Sequence, residues 1–271
     1  MTKRFIRFSL QLIPLLLLPM LANAETKPAV VLRDIHAAQL DLQTTVSAYH
    51  RYQGGEGDAK LLDLLKKRVD TLKGALNTAF QDLSDLKIDK ELDKTKTDWG
   101  AAAKDLNSAM SALSHGGFAD GQVINDYLLN SLKTTWDLGD AYKAVVTKTG
   151  FKVKPVVQLL RDQALLFEQM CALYIEQSYE QYGYTYRKQA GDTDTLDKMA
   201  TRFGDNLVKL KTLLPTHGPE EAKLEDIRTK WAFLQQSFVK YTENNVPFLV
   251  VRFGADITGT LQDLIKMQDK A

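Results

Sequence analysis

Apolar residues recur every three or four positions along almost the whole chain from Val31 to Met267. Stretches in which apolar and polar residues alternate are nearly absent. A three-four spacing places the apolar residues on one face of a helix, whereas strands need alternation. Glycine and proline, which interrupt helices, fall between the periodic stretches. The sequence therefore predicts an all-α protein built from eight amphipathic helices.

Two of the predicted helices are especially informative. The second follows Asp58, a suitable N-cap residue, and its apolar positions form a regular heptad pattern, which favours coiled-coil-like packing. The fifth is predicted to run without interruption from Val156 to Lys188, which makes it the longest. Leu159, Leu165 and other leucines widen its apolar face, so we expect it to contact more than one neighbouring surface.

The second half of the sequence resembles the first half. At an offset of 132 residues the third and seventh predicted helices superpose, and Trp99 falls on Trp231. At 134 the Gly57-Asp58 pair falls on Gly191-Asp192, and the fourth and eighth helices agree at 122. The first and fifth helices fit at either 128 or 129. An internal duplication into two tandem four-helix up-down modules, residues 25–150 and 151–271, is the resulting prediction.

The first 24 residues have the pattern of a signal peptide. Positive charges at Lys3, Arg4 and Arg7 precede an apolar stretch, and Ala22-Asn23-Ala24 forms a small-x-small cleavage site. We therefore expect cleavage after Ala24 and export to the periplasm or beyond; an uncleaved membrane anchor is the alternative. No later stretch approaches the roughly 18 apolar residues of a membrane helix, so no transmembrane segment is predicted in the mature chain.

Charge and cysteine content restrict the function classes. The whole chain carries +1, and residues 1–24 contribute three positive and no negative charges, which leaves −2 for the rest. A nearly neutral surface gives no electrostatic reason to expect nucleic acid as a partner. Cys171 is the only cysteine, so no intramolecular disulfide can form, and it is expected to be a buried apolar residue.

The sequence contains none of the motifs that would indicate an enzyme or a metalloprotein. The chain has four histidines, which do not form pairs at metal-ligand spacing on a helix: His36, His50, His115 and His217. Neither a haem-attachment motif nor a phosphate-binding loop is present. We therefore predict no catalysis, no metal and no cofactor.

Two groups of polar side chains are candidates for binding. Five tyrosines lie along the last turns of the predicted fifth helix: Tyr174, Tyr179, Tyr182, Tyr184 and Tyr186. They could line a pocket or an interface, or they could close the end of a bundle with their hydroxyl groups in water. Arg33-Asp34 and Arg161-Asp162 lie near the starts of the first and fifth helices. An arginine inside a bundle can bind a small anion through its planar guanidinium, and the alternative is a solvated or ion-paired arginine.

The second half also resembles a known family. Phe167-Glu168-Gln169-Met170 followed by Tyr174 is similar to the first-helix motif of the periplasmic PilJ-type domain, which is related to nitrate-sensor input domains. Phe203 in the next helix and the later Ile227-x-x-x-Trp231 are similar too. The resemblance implies a sensory four-helix domain, which that family also contains in tandem. Gln169 stands where the family usually has an arginine, and the chain is not expected to be a complete receptor.

Together these patterns predict an exported, non-catalytic helical module that binds a small ligand between helices or a membrane signalling partner. The residues expected at the ligand are Arg161, Glu168, Gln169, Tyr174 and Trp231. The alternative is an envelope interaction or scaffold protein that uses a tyrosine-rich surface formed by Tyr179, Tyr182 and Tyr186. Coiled-coil-like stripes are also compatible with a homodimer.

Overall fold

The computed structural model describes residues 26–55, 58–116, 119–179, 185–241, 243 and 245–270. The predicted signal segment lies outside these residues. Every regular element in them is an α-helix, which confirms the prediction of an all-α fold. No helix in this described part is long and apolar enough to cross a membrane.

Eight long helices and one short helix make up the described chain. Their bounds are α1 (Lys27–Gly54), α2 (Ala59–Asp85), α3 (Asp89–Ser114), α4 (Gly121–Thr149), α5 (Pro155–Tyr179), α6 (Tyr186–Gln189), α7 (Leu196–Leu213), α8 (Pro219–Val239) and α9 (Pro247–Lys270).

The long helices pack in two cyclic sets. In the first set α1, α2, α3 and α4 contact one another in chain order, and α4 returns to α1. In the second set α5, α7, α8 and α9 do the same, and α9 returns to α5. Extensive contact between α1 and α5 joins the sets, and α6 packs on α4. Because α5 contacts α1, α7 and α9, the prediction of several contact surfaces for the fifth helix is confirmed.

Helices α1 and α5 run parallel at this junction. The Nε2 atom of His36 lies 3.0 Å from the backbone oxygen of Arg161 near the start of both helices. One or two turns from their ends, His50 Nε2 lies 3.9 Å from Glu176 Oε2. Since the residue numbers rise together from one contact to the next, the helices point the same way. The α1–α5 contact is therefore a parallel seam that runs through the middle of the protein.

The fifth helix is shorter than the sequence predicts. It ends at Tyr179, and α6 is a separate helix of 4 residues. Tyr186 donates a hydrogen bond of 2.7 Å to Glu176. In a continuous helix these two residues would be about 15 Å apart along the axis. The predicted uninterrupted helix to Lys188 is therefore wrong, because Tyr186 lies beside Glu176 and not almost three turns further along the same helix.

The two Gly-Asp pairs that support the repeat have different local roles. Asp58 caps α2 as predicted, since its carboxylate accepts hydrogen bonds from the backbone of Lys60 and Leu61. Asp192 instead accepts from the backbone of Asp194 and pairs with Arg187 at 2.8 Å. Helix α7 begins only after Thr195. The two Gly-Asp pairs thus match in sequence, but only the aspartate of the first pair caps a helix.

The turn between α2 and α3 contains a strained backbone position. Lys87 has φ 55°, and the backbone hydrogen bonds Ile88 N to Leu83 O and Lys87 N to Ser84 O form the C-terminal motif that usually has glycine at this place. A side chain in the left-handed region costs about 1 kcal/mol relative to glycine.

We expect Lys87→Gly to raise the free energy of unfolding by about 0.5–1 kcal/mol, because it relieves this strain. Chemical denaturation with urea measures the change. Gly150→Ala is the matched reverse control: Gly150 has φ 66° and open space around it, so the added methyl group should destabilise by a similar amount through backbone strain alone. An unchanged or lower stability of Lys87→Gly would contradict the prediction.

Candidate functional site

The five residues expected at the ligand do not share one pocket. Glu168 and Gln169 border different cavities, because consecutive helical side chains point about 100° apart. Trp231 belongs to the hydrophobic core of the second set, where its ring centroid lies 4.7 Å from that of Phe203 and 6.3 Å from that of Phe167. Trp231 is therefore a packing residue.

Tyr174 is also part of the framework. Its ring is buried and packs against Phe238 with ring centroids 5.3 Å apart. Its hydroxyl oxygen accepts a hydrogen bond of 2.8 Å from the backbone nitrogen of Val246, just before α9. Tyr174 thus fixes the start of α9 against α5.

Arg161 borders a different cavity from Glu168, one of about 470 Å³ between α1, α4 and α5. Its guanidinium donates to the Tyr142 hydroxyl at 3.1 Å and to Asp269 at 3.3 Å. The Tyr142 hydroxyl donates in turn to Gln158 at 2.9 Å. These contacts tie α5 to α4 and α9, which favours the ion-paired alternative for this arginine.

Gln169 borders a smaller cavity of about 110 Å³ beneath α6, together with Trp136 and Tyr186. Tyr186 itself is only 6% exposed. Burial and the neighbouring Glu176 raise the pKa of its hydroxyl well above the ordinary value. Tyr186 is therefore not available for a surface contact.

Only part of the expected tyrosine-rich surface can be compared with the structure. Tyr179 is 41% exposed, and its ring lies directly against Gly54 at the end of α1. Tyr182 lies outside the described residues. Of the three predicted surface tyrosines, one is therefore exposed and one is buried.

A charged groove is centred on Glu168. It has a volume of about 350 Å³ and lies along one face of the α1–α5 seam. The seam forms its floor, while α2 beside α1 and α9 beside α5 form its walls. Its charged side chains are Asp41 and Arg51 from α1, Arg68 from α2 and Glu168 from α5. Uncharged polar side chains add to the lining: Thr44, Ser47, Thr258 and Gln262.

The carboxyl group of Glu168 is buried at the wall of this groove. It is 6% exposed, and burial raises its pKa to about 7. The Thr258 hydroxyl and the charge of Arg68 oppose this rise, and Asp41 adds to it. A carboxyl group that is half protonated near neutral pH beside a cavity is a common sign of a functional site.

The other charges of the groove respond to one another in the same way. Burial raises the pKa of Asp41, and Arg68 partly offsets the rise. Burial also lowers the pKa of Arg51, with a further contribution from the nearby positive charge of Arg68. Arg68 is therefore the charge that couples the two carboxyl groups and the second arginine.

Neither arginine forms an ion pair with a carboxylate of the described residues. Among the described residues, no carboxylate oxygen lies within 4.0 Å of the guanidinium nitrogens of Arg51 or Arg68. Every ion pair that the described chain does form with arginine involves other residues. Arg68 is exposed and Arg51 is half-buried, so the guanidinium donors of both remain accessible to solvent and to a ligand in the groove.

Small residues on α9 give the groove its width. Gly254, Ala255 and Gly259 line it. A methyl group built on Gly254 would meet Cys171 Sγ at 3.1 Å, whereas one on Gly259 would meet nothing within 4 Å. Side chains added at Gly259 can therefore fill the groove without disturbing the core.

Cys171 at the groove edge has no chemical role that the structure supports. It is buried as predicted, and burial together with Glu168 raises the pKa of its thiol well above the ordinary value. In the described part of the chain no three or more histidine, cysteine or acidic side chains converge to hold a metal ion.

Sequence reasoning identified Glu168 but missed Asp41, Arg51, Arg68 and Thr258. These residues lie beside the apolar stripes of three different helices, and periodicity alone cannot show which helices face each other. The cluster Gly254-Ala255 and Gly259 in one helix was the available signal, since small residues in a helix interior often mark a close approach or an opening.

Comparison with protein-family models, with curated proteins and with solved structures found no match to this chain.

Proposed function

We propose that this protein is a non-catalytic sensory or accessory module that binds a small ligand in the groove between α1, α2, α5 and α9. One observation carries the proposal. The buried carboxyl group of Glu168 shares a cavity of about 350 Å³ with Arg51 and Arg68, two arginines that form no ion pair within 4.0 Å with a carboxylate of the described chain.

The volume and the mixture of groups suit binding. Pockets for small molecules begin at about 300 Å³ and combine apolar walls with a few convergent polar groups. Here Leu40, Ile175 and Val250 supply apolar surface beside the charges. The polar groups offer charge and hydrogen bonds to a ligand, and the one thiol at the edge is held protonated by burial. This favours binding over nucleophilic chemistry.

The position of the groove suggests how binding could be sensed. A ligand held by Arg68 on α2 and by Glu168 on α5 would connect the two helix sets across the parallel seam. A ligand changes a conformational equilibrium only by binding one arrangement better than the other. We propose that occupancy favours a closer approach of α2 and α9, and that an envelope partner responds to that small shift.

We also propose the wider organisation that the sequence predicts. Residues 25–150 and 151–271 would be two four-helix modules of one duplication, exported through a signal peptide cleaved after Ala24. Buried positions support the repeat in part. At an offset of 132, α3 and α8 share four of them, namely Leu92, Thr95, Ala102 and Leu106 with Leu224, Ile227, Leu234 and Phe238, whereas Trp231 is buried and Trp99 is only half-buried. The buried residues of α4 correspond to those of α9 at an offset of 123, as in Tyr127 with Val250 and Leu138 with Leu261. This differs by one residue from the offset of 122 at which the apolar stripes of the two helices agree in the sequence.

The resemblance to PilJ-type sensory domains agrees with this proposal in its general form. It places the first-helix motif, Phe167 to Met170, on α5, and Glu168 of that motif is the buried acid of the groove. The site proposed here differs from an arginine-based site on that helix, since its arginines come from α1 and α2.

A groove-filling variant tests the proposal. Thermal-shift screening with anions, amino acids and polyamines should find a stabilising compound, because a ligand at 100 times its Kd adds about 2.7 kcal/mol to the folded state. Gly259→Leu should abolish that stabilisation. The variant itself should be as stable as the parent or more stable by about 0.5–1 kcal/mol, since it removes a glycine from a helix interior.

Gly100→Leu is the matched control. Gly100 lies within α3, and a methyl group there also meets nothing within 4 Å. This variant should keep the response to the compound in full. A screen without any stabilising compound, or a compound that stabilises Gly259→Leu as well as the parent, would show that this groove is not a ligand site.

A further inference from the structure

We propose that the ligand of this groove is a small zwitterion of the amino-acid type, with an ammonium group on the carboxylates and a carboxylate on the arginines. This inference rests on the proposed function, because it names the chemical class of the ligand in the same groove.

The acidic and basic groups of the groove are equal in number. Two carboxyl groups, Asp41 and Glu168, and two guanidinium groups, Arg51 and Arg68, line one cavity. The guanidinium groups offer several planar N–H donors to a carboxylate, and the carboxylates accept hydrogen bonds from an ammonium group. A ligand that carries both groups can therefore use all four side chains.

Ligands of a single charge fit this set less well. A simple anion would bind the arginines but would lie near Glu168 and Asp41, and like charges in a partly buried site repel. A simple amine would meet the reverse problem at Arg51 and Arg68. The same four side chains thus disfavour both simple anions and simple amines.

The remaining walls define the rest of the ligand. Leu40, Ile175 and Val250 are buried apolar residues that border the groove. The cavity of about 350 Å³ is near the lower limit for small-molecule pockets. An amino acid with an aliphatic side chain matches both the size and this apolar surface.

The protonation state of Glu168 adds a measurable consequence. The groups that face it are Asp41 from α1, Arg68 from α2, Cys171 from α5 and the Thr258 hydroxyl from α9. An ammonium group needs the ionised carboxylate, whereas part of the free protein carries a proton there near neutral pH. Binding should therefore release protons below about pH 7, and affinity should increase with pH between 6 and 8.

The experiment compares matched triplets of compounds by isothermal titration calorimetry. The twenty standard amino acids and short ω-amino acids are screened first, and each that binds is compared with its decarboxylated amine and its deaminated acid. For leucine these are 3-methylbutylamine and 4-methylpentanoate. We expect at least one zwitterion to bind, and its two truncated relatives to bind at least tenfold more weakly.

Variants assign the contacts. Glu168→Gln and Arg68→Gln should each weaken binding of the zwitterion at least tenfold, and Glu168→Gln should also remove the proton release. Arg202→Gln is the control, because this exposed arginine of α7 pairs with Asp194 away from the groove. It should bind like the parent.

Failure of this inference is distinct from failure of the proposed function. If only anions or only amines stabilise the protein, and Gly259→Leu abolishes that effect, the groove is a ligand site but its ligand is not a zwitterion. The same conclusion follows if Glu168→Gln binds the zwitterion as tightly as the parent. If no compound of any class binds, both proposals are overturned.

Discussion

Replacing Phe167 with alanine is expected to lower the free energy of unfolding by about 3–5 kcal/mol. Phe167 on α5 is completely buried. Its ring centroid lies 4.8 Å from that of Phe203, 6.1 Å from that of Phe238 and 6.3 Å from that of Trp231. These rings come from α7 and α8, so the substitution would leave a cavity where three helices meet, and neighbouring side chains would fill it only in part.

Urea denaturation followed by tryptophan fluorescence and circular dichroism measures this loss. Phe233→Ala is the matched control, since Phe233 on α8 is 62% exposed and lies outside the buried core. Its effect should stay within about 0.5 kcal/mol. Equal losses for the two variants would show that the buried aromatic residues around Phe167 contribute no more to the stability of the second helix set than an exposed phenylalanine does.

The second large effect concerns acid stability, to which His36 contributes beside His50, a second buried histidine of the seam whose pKa burial also lowers to about 4. His36 is buried at the α1–α5 seam, and burial lowers its pKa to about 4, with a smaller contribution from the charge of Arg161. The bond to the Arg161 backbone oxygen opposes this shift. In the unfolded chain the pKa of histidine is about 6.5, so between pH 6.5 and 4 the unfolded state binds more protons than the folded state.

Neutral His36 therefore contributes its full stabilisation above pH 6.5, and this stabilisation is lost as the pH falls toward 4. The loss corresponds to about 3 kcal/mol. We expect His36→Gln to remove this dependence, because the glutamine amide can still donate to the Arg161 oxygen but does not titrate. Between pH 7 and pH 4 the parent should therefore lose about 3 kcal/mol more unfolding free energy than the variant.

Urea titrations at several pH values measure that difference. Glu168 has the opposite dependence, because a raised folded pKa makes it lose stability as the pH rises from about 4.5 to 7. It contributes equally to the parent and to His36→Gln, so the difference between the two curves isolates His36. His115→Gln, at an exposed position beyond α3, should follow the parent. A constant difference between parent and His36→Gln would contradict the prediction.

Local signals in the sequence predict most of the helical framework. The stripe of α2 is buried at the predicted positions from Leu65 to Leu83, and Asp58 caps that helix as expected. The end of α5 could not be predicted in the same way. No local signal shows that Tyr186 returns to bond Glu176, since that contact depends on where the chain goes after Tyr179.

The candidate site shows the same division. Glu168 and Gln169 are neighbours in the sequence and were expected to bind together, yet they open into separate grooves on two faces of one helix. Arg161 satisfies its charge with Asp269, more than a hundred residues away. Arg51 and Arg68 meet only because α1 and α2 pack side by side, and nothing in their local sequence marks them as a pair.

The sequence by itself determined the helical class, most buried positions of helices such as α1 and α2, and the residues that supply the aromatic core. Periodicity is sufficient for these, because burial of an apolar face depends mainly on spacing within one helix. Only the tertiary structure decided that α1 and α5 lie parallel and that α2 and α9 flank them. That arrangement brings Asp41, Arg51, Arg68 and Glu168 into one groove, since contacts between helices depend on the packing of whole surfaces and not on the sequence of any one of them.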